Sequence, residues 1–80
     1  MIVKELDLEQ LMPFIPSRIK SGGKSYKSIL YHFLERLSVS NAGKKAGMKH
    51  YRQEASRAIR KVYVNMDLAG VRLVNAIVNR

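Results

Sequence analysis

Apolar residues recur along this chain at three- and four-residue steps, the spacing that predicts helices with one face in a core. Tyr26, Ile29, Leu30, Phe33, Leu34 and Leu37 form one such stripe, with Ser28, Tyr31, His32 and Glu35 opposite. A helix from Ser25 to Leu37 is therefore expected at the centre of the core. A second long helix is expected from Met48 to about Val64, where Met48, Tyr51, Ala55, Ile59, Val62 and Met66 repeat. The alternation of Val62, Val64 and Met66 keeps a short strand there as the alternative.

The weaker patterns fill in the rest. Asp7 precedes Leu8 with Gln10 three positions on, a capping-box spacing that starts a short helix carrying Leu8, Leu11, Met12 and Ile15 on one face. Pro13 lacks the N–H a helix interior needs, so this helix should end near Met12, and Pro16 begins an irregular stretch. Ser21-Gly22-Gly23 is the clearest break in the chain. Ser38 to Gly43 reads as a connection that caps a short following helix at Ser40 or Asn41. Asp67 can cap a last helix from Leu68 to about Asn79. There Leu73, Val74, Ile77 and Val78, with Val71 at the edge, cover an arc of about 160°, wider than one packing contact requires. Either that helix is central to the fold, or Val71, Val74, Ile77 and Val78 also meet a second copy of the chain in a homodimer. Together these elements give one domain over residues 1–80, an all-α bundle of four or five helices.

Charge changes the picture from a generic bundle to a candidate binder. The chain carries a net charge of +9, yet the charge is regional: twelve of the fifteen Lys and Arg lie between Arg18 and Lys61, opposed there only by Glu35 and Glu54. On the second long helix Lys49, His50, Gln53, Arg57, Arg60 and Lys61 fall opposite the apolar stripe within an arc of about 120°. A basic face on a folded scaffold suits a polyanion. Composition excludes several other classes. With 46% hydrophobic residues the chain is too apolar for a disordered tail, and no apolar run approaches the length that crosses a bilayer. The absence of cysteine removes disulfides and thiolate metal sites. The acidic N-terminus is unlike a secretory signal, so the chain reads as cytoplasmic and as a complete small protein beginning at Met1.

Catalytic and cofactor chemistry find little footing. Gly23-Lys24-Ser25 resembles the end of a phosphate-binding loop, but Arg18 stands where that motif needs its first glycine. The segment is better read as a loop into a helix whose first N–H groups, with Lys24 and Lys27, suit phosphate. His32 and His50 lie on different expected helices, so no metal site is expected, and the His32/Glu35 pair on an exposed face is no catalytic dyad. No enzyme activity, cofactor or small-molecule substrate is expected.

The stretch from Ser40 to Arg52 resembles the turn of helix-turn-helix DNA-binding proteins. Ala42, Ala46, Gly47 and Met48 fit the places where that family has a small-residue helix, an Ala-Gly turn and an aliphatic residue. The family's apolar anchors five and eight positions after Met48 are replaced by Gln53 and Ser56; Ala55 and Ile59 are the alternative anchors. The resemblance implies that helix 48–61 enters the major groove of duplex DNA. Lys49, His50, Arg52, Gln53 and Arg57 would face base edges or flanking phosphates, and Lys44, Lys45, Arg60 and Lys61 would hold the backbone, with Lys24 and Lys27 adding phosphate contacts. Duplex is favoured over single strands because Tyr26, Phe33 and Tyr51 are needed in the core, leaving Tyr31 and Tyr63 for stacking. The implied role is a small transcriptional regulator or an accessory factor of the kind carried by phages and plasmids. The rival is an interaction module whose basic face docks an acidic protein; an RNA-binding role ranks third.

Overall fold

The computed structural model describes residues 2–3, 5–20 and 22–73. Four helices form an all-α bundle: α1 (Leu8–Leu11), α2 (Gly23–Phe33), α3 (Val39–Lys45) and α4 (Tyr51–Leu68). The start of α1 follows its sequence signal, since the Asp7 side chain accepts from the Gln10 N–H at 2.8 Å and Gln10 returns the bond to the Asp7 N–H at 3.2 Å. Pro13 ends the α-helix as expected but is accommodated in a 3-10 turn over Met12–Phe14.

The core is built around α4, which buries Ala55, Ala58, Ile59, Val62 and Met66. Leu11 and Ile15 from the N-terminal turns, Ile29 and Phe33 from α2, and Ala42 from α3 close over it. The helical assignment of Val62 to Met66 removes the strand alternative.

Three expectations need correction. The helix α2 begins two residues early and stops at Phe33 rather than Leu37, because Arg36 adopts a left-handed φ of 58°. Its inward face is also rolled: Ser28 and His32 are fully buried, while Leu34 is exposed. Burial of the two polar side chains is possible because each has partners. Ser28 Oγ donates to the Ser25 carbonyl, and His32 bridges two groups described below.

The segment after Ser38 is a helix rather than a connection. Ser38, not Ser40 or Asn41, is its N-cap, accepting the Asn41 N–H at 3.2 Å.

The last helix does not start at Leu68. Instead α4 continues to that residue, and Gly70 at φ 72° closes it with a Schellman pair: the Gly70 N–H donates to the Asp67 carbonyl and the Val71 N–H to that of Met66. Arg72–Leu73 (β2) then pairs in parallel with Ile2–Val3 (β1), Ile2 opposite Arg72 and Val3 opposite Leu73. Val71 is buried in the chain's own core, so it offers no face to a second copy. Val74, Ile77 and Val78 lie outside the described residues.

Candidate nucleic-acid interface

The bundle holds one face of α4 inward and leaves the other to solvent. Because Ala55, Ala58, Ile59, Val62 and Met66 take the inner positions, Arg52, Gln53, Arg57, Arg60 and Lys61 are all exposed. Lys49 and His50 precede them in the turn that leads into the helix, and both are also exposed. Glu54 is the acid nearest this set in sequence, and its carboxylate accepts the His50 N–H at 3.3 Å, satisfying a helix-start donor.

The turn that sets α4 against α3 is built from small residues. Ala46 ends α3, Gly47 takes φ 81°, and the Gly47 and Met48 N–H groups return to the Lys44 and Gly43 carbonyls. Ala42, Ala46 and Met48 are buried, as the sequence pattern requires. The closest approach falls at Gly43, where a Cβ would stand 2.8 Å from Ala55 Cβ, Tyr51 Cβ and the Tyr51 carbonyl. Ala55 and Ile59 anchor α4, while Gln53 is exposed and Ser56 half-buried.

Two adjoining depressions run along this surface. The smaller, of about 250 Å³, is formed by Lys49, His50, Tyr51, Arg52 and Gln53. The larger, of about 860 Å³, shares Arg52 and Gln53 with it and continues past Arg57, Arg60 and Lys61 to Val64 and Asn65, with Pro16 as its far wall. Lys44 joins this surface through Tyr51, its ammonium 5.0 Å from the ring centroid. Lys24 reaches the turn from α2: its Cε would lie 3.9 Å from a Cβ on Gly47. Among the described residues, no carboxylate lies within ion-pair distance of Lys24, Lys44, Lys49, Arg52, Arg57, Arg60 or Lys61.

Lys45 stands apart. Its ammonium meets Glu35 Oε1 at 2.6 Å and lies 4.8 Å from the Tyr31 ring centroid, and the hydrogen bond to Glu35 raises its pKa. Lys27 is exposed one turn along α2 and lines neither depression.

Sequence reasoning missed Pro16, Val64 and Asn65. Val64 follows Arg60 by four residues within the expected helix, but the cationic face was traced by charge and so stopped at Lys61; Pro16 is brought in only by tertiary packing. It also placed His32 outside and left Tyr63 free. The His32 ring is held between the Leu37 carbonyl, which accepts from Nδ1–H at 2.7 Å, and the Tyr63 hydroxyl, which donates to Nε2 at 2.7 Å. Burial lowers the His32 pKa, with Arg36 acting in the same direction against the Leu37 bond, and burial raises that of Tyr63. Neither group faces the cationic surface, and neither tyrosine named for stacking is free, since Tyr31 is covered by Lys45.

Searches against protein-family models, curated proteins and solved structures find no match to this chain. No helix among the described residues is long and apolar enough to cross a membrane.

Proposed function

We propose that this protein binds duplex DNA through the surface that runs from Lys24 and Lys44 along α4 to Lys61. It acts without catalysis or cofactor, as a small cytoplasmic regulator of transcription or a phage or plasmid accessory factor. The observation that carries the reading is the continuity of that surface: seven Lys and Arg side chains adjoin one another by shared hollows and contacts, with no described carboxylate pairing any of them. The short turn at Gly47 and the close α3–α4 approach at Gly43 support a helix-turn-helix arrangement with α4 as the groove-facing helix.

A mobility-shift titration against random duplex at rising salt tests it. Six neutralised phosphates give a log–log slope of roughly −5. Changing Arg57→Glu and Arg60→Glu together should abolish the shift while helicity, read by circular dichroism, is unchanged. A slope near zero, or no shift at low salt, refutes the reading.

A second reading has one observation in its favour. Val64 and Leu68 are 49% and 82% exposed on the same side of α4 as Lys61, an apolar pair beside cations that suits an acidic, amphipathic protein partner. Binding of such a partner without any duplex shift would favour it. Pairing of two copies is read by light scattering at micromolar concentration.

A further inference from the structure

The larger depression on α4 has a shape that the groove-facing reading alone does not use. A base edge lies at the bottom of a DNA groove, so side chains that read it must protrude. Arg57, Arg60 and Lys61 line an open concavity with Pro16 on its other side. What fits a concave, cationic cleft is a convex, anionic ridge, and on a duplex that ridge is the sugar-phosphate backbone.

We infer that the cleft between Pro16 and α4 seats the backbone of one DNA strand, leaving sequence contacts to Lys49, His50 and Gln53; this rests on the duplex-binding reading above. Arg52 and Arg57, which the sequence left between base edges and flanking phosphates, thereby become phosphate contacts.

Three observations carry it. The first is charge: Arg52, Arg57, Arg60 and Lys61 line the cleft, with no described carboxylate in ion-pair reach of any of them. The second is that the walls are already fixed. Asn65 Nδ2 donates to the Phe14 carbonyl at 2.8 Å, tying the Met12–Phe14 turn to α4. The Pro16 carbonyl accepts from the Ile19 and Lys20 N–H groups at 2.9 and 3.2 Å, which holds the far side. The backbone on both sides of the cleft is thus held in place before anything binds, so filling it orders side chains only. The third is the lining: Pro16 and Val64 add apolar surface suited to deoxyribose, and no aromatic ring lines the cleft on which a base could stack.

The experiment compares wild type with an Arg60→Gln, Lys61→Gln double variant on a duplex with a preferred sequence and on its scrambled form, across salt. Both side chains are exposed, so helicity should be retained. The variant should lower the magnitude of the salt slope by about 2 and weaken both duplexes by the same factor. With the wild-type protein, two uncharged methylphosphonates at the phosphates that Arg60 and Lys61 contact should reproduce that loss, and should add little further loss in the variant. An unchanged slope, or a change in the preference between sequences, overturns the cleft assignment while leaving duplex binding in place. If wild type shifts no duplex at low salt, both readings fall together. Should it bind poly-glutamate through Arg60 and Lys61 and no duplex, the cleft belongs to an acidic protein.

Discussion

His32 makes the bundle's stability depend on pH. The ring is fully buried, and its two nitrogens already have the partners that the neutral form needs: Nδ1–H donates to Leu37 and Nε2 accepts from Tyr63. A second proton would put a charge inside the core near Arg36 and take away the acceptor that the Tyr63 hydroxyl uses. The folded-state pKa is therefore below the ordinary 6.5 of the unfolded chain. The unfolded state takes up the proton first as pH falls, so the contribution is complete above about 6.5 and is lost between there and the folded pKa. The urea midpoint should drop between about pH 7.5 and about pH 5.5, a window above the carboxylate range. An unchanged midpoint would show that the ring is solvated. Helical periodicity could not reveal this residue, because it places position 32 opposite the Tyr26–Leu37 stripe, and the hydroxyl that satisfies it is 31 residues away.

At the scale of elements, the two helix ends that matter most carry the same pattern. Ala46-Gly47-Met48 and Ala69-Gly70-Val71 each place a left-handed glycine before an apolar residue that folds back on its own helix. The first was legible and marked the turn before α4. The second was passed over because a new helix was expected to start at Leu68 with Asp67 as its cap, although Gly70 was in plain view. Most of the four-helix plan follows from periodicity and capping, and what escapes is the roll of α2 and the α3–α4 spacing, both set by packing. That spacing yields a prediction at Gly43. An added Cβ meets the Tyr51 carbonyl at 2.8 Å, and a backbone oxygen cannot turn aside as a side-chain tip can. Gly43→Ala gains up to about 1 kcal/mol of helix propensity but costs about 1–3 kcal/mol in forcing α3 off α4. A net loss is expected, read as a melting midpoint lower by several degrees. A raised midpoint would mean that the two helices separate freely and that the turn does not fix the tilt of α4.

For the whole molecule, the cationic face was largely legible because helical geometry gathers Lys49 to Lys61 on one side, whereas the Pro16 wall was not, since nothing local links residue 16 to residue 65. Concentrating this charge has an energetic consequence. With fifteen Lys and Arg against six Asp and Glu, a net charge of +9, repulsion outweighs attraction within the fold, and Lys45 and Glu35 meet at 2.6 Å on its surface. The exposed pair is worth at most about 1 kcal/mol, so screening it costs little. The radius of gyration is 11.5 Å, close to the Debye length of about 10 Å at 0.1 M salt, so moderate salt screens repulsion across the protein. Folding and DNA binding should consequently respond to salt in opposite directions. The thermal midpoint should rise as salt increases from about 0.01 M to about 0.3 M, while duplex affinity falls steeply over the same range. Glu35→Gln sharpens the comparison by removing the Lys45 partner: it should lower the midpoint at low salt, make its rise with salt steeper, and tighten duplex binding at low salt. If the wild-type midpoint falls with salt instead, attraction dominates the surface, and the cations along α4 are neutralised within the fold rather than held for a polyanion.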